Sequence, residues 1–311
     1  MKLARRTDYF GERRLTPRRL FRKGRLLVGG TLLEATLRVR NLVAKSSVLG
    51  ESTVIVSITS HGARLASVST VIEGIARGKV RPRRMILWVD PGVDVATLGA
   101  GLRRLQRRGL EIAHSPDRYG PHTKYFPLAI ADYSSSNGSS LDIVTADDDI
   151  LYPRDWLSSL TEASRDRATI LCHRAHRLLV EQERIAPYRR WLRVTSSRPS
   201  VLNFATGVMG VLYPAEFFRY VAAVGDRFLT VSPRADDVWL HAMALRGGFQ
   251  VRQLKAVAAE FPMLFGSQAS SLVSDNAFDG GNDEQIAATY TADDLLVLKA
   301  AQSREGLTAR G

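Results

Sequence analysis

The chain has 311 residues, 45% hydrophobic and 24% charged, which is enough to bury a sizeable core in one or two domains. A single cysteine, Cys172, excludes an internal disulfide framework and a multi-cysteine zinc site, and fits a reducing, cytoplasmic setting. The formal net charge of +13 looks like a nucleic-acid signature until it is placed along the chain: residues 1–50 hold 13 Lys or Arg against 3 acidic residues, so +10 lies in the leader and the remainder is close to neutral.

In that leader, apolar Leu26, Leu27, Leu32, Leu33 and Leu37 alternate with the basic residues. An amphipathic segment on an anionic membrane surface and a poorly ordered basic extension both account for such a pattern. The apolar run "LLVGGTLL" is 8 residues long and ends at Glu34, far short of the roughly 20 that a span requires. Neither a signal peptide nor a spanning helix is expected, and the reading places the protein in the cytoplasm, peripheral on the inner face of the cell membrane if the leader binds lipid.

From residue 53 the sequence alternates strand and helix signals, the pattern of a mainly parallel sheet covered by helices. "TVIVSITS" (53–60) is a β-branched strand, and "RLASVSTVIEGIARG" follows with Leu65, Val68, Val71, Ile72 and Ile75 at helical spacing. "RMILWVD" (84–90) is the second strand, "VATLGAGLRRLQRRG" the second helix and "LEIAHS" the third strand. "TKYFPLAIADY" is a helix with Pro127 in its first turn or breaking it. "LDIVTA" (141–146) is the fourth strand, and "PRDWLSSLTEASRD" a helix with Pro153 near its first position. Beyond residue 168 the pattern loosens. "TILCHRAHRLLV" reads as one strand, 184–203 as irregular, "RADDVWLHAMALRGG" as a helix, "FQVRQL" as a strand, and "NDEQIAATY" and "ADDLLVLKAAQSR" as terminal helices. The expected organisation is a leader over 1–50 and one α/β domain over 51–311, with a nucleotide-binding half (51–167) and an acceptor-binding half (168–311).

The chemistry concentrates in "DIVTADDDILYP". In a parallel α/β sheet ligands bind beyond the carboxyl ends of the strands, where Asp147, Asp148 and Asp149 fall. Three adjacent carboxylates repel unless a cation or strong donors compensate them, and a hard divalent ion such as Mg²⁺ or Mn²⁺ suits oxygen ligands of this kind. A capping turn ahead of the next helix explains the same residues. Asp236 and Asp237 open a later apolar helix, where carboxylates also serve as caps; a helix start favours the ionised form, so burial or neighbouring charge would be needed to make either one basic. His61, His114 and His122 sit near strand ends and read as surface loop residues more readily than as ligands. Gly207 and Gly210 suit either close approach of a substrate or a tight turn.

In order and spacing, "VIVSITSHGARL", "MILWVD", "DRYGPHTKYFPL", "VTADDDILYPRDWLSSL", "CHRAH", "ATGVMGVLYP", "ADDVWLHAMALRGG" and "NDEQ" resemble the GT-A class of nucleotide-sugar glycosyltransferases, in particular bacterial enzymes that build capsular and other surface polysaccharides. The resemblance covers about residues 53–290. It implies a Rossmann-like GT-A fold, a nucleoside-diphosphate sugar donor, Mn²⁺ or Mg²⁺, and a glycan acceptor that is lipid-linked in such pathways. It also implies roles. Thr59 and Arg64 would edge the nucleotide pocket, Asp90 would contact the base, and Lys124 would face the diphosphate. Asp147 and Asp149 match the Asp-x-Asp motif, Asp149 being the preferred metal ligand and Asp148 the spare in the nucleotide-sugar site. Asp236 and Asp237 match the acidic pair that supplies the general base, with Asp237 preferred; the usual residue at position 236 is Glu, which leaves the stereochemistry open. Trp156, Tyr213 and Trp239 are either sugar-stacking surfaces or buried packing.

Two rival readings remain. A nucleotidyltransferase shares the nucleotide-binding logic but would carry a Gly-rich, Lys-containing loop after its first strand, which "SITSHGARL" lacks. A non-catalytic basic protein would bind nucleic acid or anionic lipid through residues 1–50.

Overall fold

The computed structural model describes residues 17–135, 138–265 and 281–306. Its centre is a seven-stranded sheet built from β1 (Val54–Thr59), β2 (Arg84–Val89), β3 (Glu111–His114), β4 (Asp142–Ala146), β5 (Thr169–Cys172), β11 (Val211–Tyr213) and β12 (Gln250–Gln253) in the order β12-β5-β11-β4-β1-β2-β3. β1 lies between β4 and β2 and is parallel to both; Ser57 is paired with Thr145 on one side and with Ile86 on the other. β11 alone runs antiparallel to its neighbours, β4 and β5. The chain thus leaves β1 in one direction to form β2 and β3 and returns on the other side as β4, so the carboxyl ends of β1 and β4 flank a topological switch point, where open α/β sheets bind ligands.

Strand alternation divides the core into two layers. From β1, Val54, Val56 and Ile58 point into a cluster with α2 (Val68–Ala76), α3 (Ala100–Gln106) and α5 (Trp156–Ala163), whereas Ile55 points into the opposite cluster with α4 (Phe126–Asp132), α6 (Ala215–Val224), α7 (Phe228–Val231) and α8 (Asp236–Arg246). The strand, fully buried on both faces, reads as a continuous apolar run for that reason. The terminal helices α9 (Gly281–Thr289) and α10 (Ala292–Arg304) form as expected; α10 opens with a capping box between Thr291 and Asp294.

The leader contributes α1 (Pro17–Val43), a 27-residue helix; residues 1–16 lie outside the described residues. Its carboxyl-terminal half packs on α2 and α3, with Leu37 fully buried. The fully buried Glu73 carboxylate of α2 fastens this layer: Arg108 donates to it from two nitrogens (2.6 and 3.1 Å), and Arg40 of α1 pairs with it at 2.8 Å.

Two expectations change. "TILCHRAHRLLV" is not one strand: β5 stops at Cys172, and the chain passes at His173–Arg174 into β6 (Ala175–Arg177) of a separate three-stranded sheet with β9 (Leu192–Arg193) and β10 (Asn203–Ala205), the pair β7 (Val180–Glu181) and β8 (Arg184–Ile185) lying between β6 and β9 in the chain. The Gln253 side chain fixes that departure, accepting from the Ala175 amide (2.8 Å) and donating to Val194 and Lys255 carbonyls (3.1 and 2.6 Å). Pro153 does not open α5, which starts at Trp156 behind Asp155; Pro127 does lie in the first turn of α4.

Candidate functional site

The acidic triplet leaves the carboxyl end of β4 in a short turn held from both sides. The Asp147 amide donates to the Tyr152 hydroxyl (2.8 Å), and the Leu264 amide donates to the Asp149 carbonyl (2.8 Å). The three side chains diverge. Asp148, 5% exposed, accepts from the Ser60 hydroxyl (2.6 Å) and from Arg64 (2.8 Å), and so ties the end of β1 to the end of β4. Arg64 also lies 3.7 Å from Asp149. Asp147 turns the other way and accepts from the Lys124 ammonium (3.0 Å).

Lys124 ends the 3-10 turn Gly120–Lys124 ahead of α4, and its nitrogen also pairs with Asp236 (3.0 Å) at the first position of α8. Burial disfavours the ammonium, but Asp147, Asp236 and Asp237 outweigh that effect and hold it protonated well above its ordinary value. The turn is locked from behind by His122, whose Nε2–H donates to the Ser232 carbonyl (2.7 Å) and whose Nδ1 accepts from the Tyr125 hydroxyl (2.6 Å), with Phe228 stacked at 4.0 Å. Burial keeps this imidazole neutral, lowering it to about 4. His122 is therefore a buried structural residue and not the surface loop histidine expected; His61 and His114 are exposed.

Asp237 accepts from the Gly207 amide at both oxygens (3.0 and 3.1 Å). Its carboxyl is pushed up from the ordinary range by burial first and by Asp236 next, against the opposing pull of Lys124 and the Gly207 amide. A helix start alone would have done the reverse. A Cβ on Gly207 would lie 3.0 Å from Asp237 Oδ1 and 3.5 Å from Lys124 Nζ, so glycine keeps this approach open. Gly210 is a turn residue: its φ is +92°, and a Cβ there would meet the Trp156 ring at 2.6 Å.

The structure brings Arg64, Lys124, Asp147, Asp148, Asp149, Asp236 and Asp237 together, five carboxylates against two cations. Thr59 and Asp90 stand at the carboxyl ends of β1 and β2; the Thr59 hydroxyl donates to the Trp88 carbonyl (3.3 Å), and Asp90 is half-buried. Trp156, Tyr213 and Trp239 are 1%, 3% and 2% exposed and pack in the core, so they offer no stacking surface to a sugar. Ser60 and Tyr152, which lie inside the quoted motifs but were given no role there, hold the acidic turn in place. A cavity of about 610 Å³ lies at the opposite, amino-terminal edge of the sheet beside Thr53, Lys79 and Arg81, away from these carboxylates.

The donor set fits a hard divalent cation. All the candidate ligands are carboxylate oxygens, and Asp149 is short of positive charge: burial first, then Asp147 and Asp148, push it up to about 7 in spite of Arg64 and Lys124. Among the described residues no group of three or more His, Cys, Asp or Glu is placed to hold a metal ion. Mg²⁺-type sites commonly take one or two carboxylates and complete the shell with substrate phosphates and water.

No protein-family model matches the sequence, and no curated protein matches it. Solved structures do. A mannosyltransferase from Pyrobaculum calidifontis, in complex with GDP-Man and Mn²⁺, is similar over 93% of this chain and 86% of its own, at 12% identity and a TM-score of 0.45. TarS residues 1–349 from S. aureus, in complex with UDP, is similar over 83% and 72%, at 12% identity and 0.44. An inositol-1-phosphate CTP transferase from T. maritima is similar over 84% of this chain and 100% of its own, at 13% identity and 0.41.

Proposed function

We propose that the chain is a metal-dependent glycosyltransferase that moves a sugar from a nucleoside-diphosphate sugar to a hydroxyl of a growing, lipid-linked cell-surface glycan. The observation that carries this reading is the bridge at Lys124, which joins the acidic turn after β4 to the acidic start of α8 through 3.0 Å contacts to Asp147 and Asp236. Donor-holding and proton-accepting groups thereby face one space.

Thr59, Arg64 and Asp90 stand at the strand ends that would border the nucleotide, with Asp90 toward the base. Asp148, saturated by Ser60 and Arg64, positions the guanidinium at the edge of the donor site. Asp147 and Asp149 would hold Mn²⁺ or Mg²⁺, which would supply positive charge to offset that of the leaving diphosphate. Lys124 supplies a fixed positive charge beside the same phosphates, preorganised by its carboxylate partners. Asp236 is paired with Lys124, and the role of base is assigned to Asp237. As the acceptor oxygen attacks the anomeric carbon, the hydroxyl proton passes to an Asp237 oxygen and the bond from that carbon to the diphosphate oxygen breaks. The raised proton affinity of Asp237 suits that task, because an ordinary carboxylate is a weak base at neutral pH.

The products separate this reading from the nucleotidyltransferase rival. Incubation with a panel of nucleotide sugars and Mn²⁺ releases nucleoside diphosphate under the proposal, whereas the rival leaves nucleotide sugars intact and releases pyrophosphate from a nucleoside triphosphate and a sugar phosphate. Release of pyrophosphate from a nucleoside triphosphate and a sugar phosphate, with nucleotide sugars left intact, would refute the proposal.

A further inference from the structure

Over Leu27–Val43 the exposed face of α1 carries an apolar stripe. Leu27, Val28, Leu32, Val39, Leu42 and Val43 are 58–69% exposed, and Val28, Leu32, Val39 and Leu42 recur on one stripe at spacings of four and seven, and then three. The opposite stripe is the one the domain covers: Gly30 lies against Pro262, Glu34 accepts from the Phe265 amide (3.1 Å), Leu37 is fully buried, and Asn41 donates to the Gly101 carbonyl (3.3 Å). Among the described residues, the helix is therefore apolar on the side that the domain does not cover.

We infer that this outer face of α1 docks the protein on an anionic bilayer surface. Charge decides between a bilayer and a second copy of the chain. The helix carries seven basic residues and one acid; the acid, Glu34, is 9% exposed and is held by Arg38 and Phe265 on the domain side. A paired α1 would bring two cationic helices together with no carboxylate on the contact face to offset them. Anionic headgroups supply the missing charge while the acyl boundary takes up the apolar stripe, which is how interfacial helices bind. At about 1.5 Å per residue the helix is roughly 40 Å long and lies in the membrane plane; no helix among the described residues is long and apolar enough to cross a membrane.

Docking by this face also sets the place of the acidic turn. The strand-like segment 261–265 that touches α1 at Gly30 and Glu34 pairs with that turn, the Leu151 amide donating to the Pro262 carbonyl and the Leu264 amide to the Asp149 carbonyl (both 2.8 Å). The docked helix, the segment and the candidate metal ligands are thus one connected unit, which sets the site close to the lipid surface.

The test is co-sedimentation of the full chain with phosphatidylcholine vesicles and with mixed phosphatidylcholine–phosphatidylglycerol vesicles, for the parent and for the double variant Leu32→Glu, Val39→Glu. Both positions are exposed, so thermal melting of the variant should match the parent and serves as the folding control. The inference expects binding to the mixed vesicles that exceeds binding to phosphatidylcholine by at least tenfold, weakens with salt, and falls at least tenfold in the variant. Equal binding by parent and variant would assign the effect to the basic leader alone and overturn the inference. Absence of vesicle binding would also overturn it, as would a parent dimer, seen by sedimentation equilibrium, that the variant disperses without any vesicle binding. The assay contains no nucleotide or sugar, so its outcome is independent of the proposed reaction.

Discussion

The substitution Asp237→Asn tests the base directly. The Gly207 amide sits 3.0 and 3.1 Å from the two Asp237 oxygens, and asparagine retains one of them as an acceptor. The loop contact is therefore largely kept, at a cost of at most about 1 kcal/mol of hydrogen bonding. Relief of repulsion from Asp236 acts in the opposite direction, so the melting temperature should move little. Catalysis should respond very differently: an amide accepts no proton, and loss of a positioned general base costs roughly 10²–10⁴ in kcat, or about 3–5 kcal/mol. Steady-state transfer assays would show kcat falling with the donor KM nearly unchanged, and isothermal titration would show nucleoside diphosphate binding retained. In the parent, the ascending limb of kcat/KM against pH should be displaced upward from the ordinary carboxylate range, since Asp237 acts only when deprotonated and its proton is held more tightly. Gly207→Ala gives a second reading of the same geometry. Its Cβ would crowd Asp237 Oδ1 at 3.0 Å, and a displaced base should lower kcat by up to about 10²-fold. An Asp237→Asn enzyme with unchanged kcat, or with a loss confined to the donor KM, would refute the assignment.

Other consequences concern the scaffold. Glu73→Ala leaves Arg108, 7% exposed, without its buried partner and frees Arg40 of α1; a loss of about 3–5 kcal/mol is expected, measurable by urea denaturation. A loss within experimental error would show that the α1–α2–α3 layer is held by apolar packing alone. His241 is buried neutral in α8, its Nε2–H donating to the Val201 carbonyl (2.9 Å) and its Nδ1 accepting from the Tyr290 hydroxyl (2.6 Å), and burial lowers it to about 4. The unfolded chain binds this proton more readily, so the contribution to stability is complete above about pH 6.5 and is lost as the pH falls toward 4, by roughly 3 kcal/mol. Melting temperatures taken between pH 7 and pH 4.5 should fall less steeply in His241→Gln than in the parent; parallel curves would exclude this histidine as a source of acid sensitivity.

Where local pattern dictates structure, the sequence was a good guide. The β-branched runs at 53–60, 84–90 and 141–146 form β1, β2 and β4, because strands buried on both faces leave continuous apolar signatures. The acidic triplet stands at a strand end for the same reason. What the sequence did not show depends on partners distant in the chain. Asp148 looked dispensable beside its neighbours, yet it links two strand ends through Ser60 and Arg64, more than 80 positions away. Burial and Asp236 raise the proton affinity of Asp237, and the partners that oppose them, Lys124 and Gly207, lie far from it in sequence. "TILCHRAHRLLV" kept strand character throughout, and only the Gln253 side chain marks where the chain changes sheets. Leu37 and the exposed stripe of α1 are equally apolar, so composition could not tell the face that packs on the domain from the face that does not.

On the proposed function, the acidic turn after β4 binds a nucleoside diphosphate together with a divalent cation. Calorimetric titration of nucleoside diphosphates into the parent and into Asp149→Ala, each with and without Mn²⁺, tests it most directly. The account predicts Mn²⁺-dependent binding to the parent and its loss in the variant. Binding that never occurs in the parent with any nucleoside diphosphate, or that persists unchanged in Asp149→Ala, would contradict it.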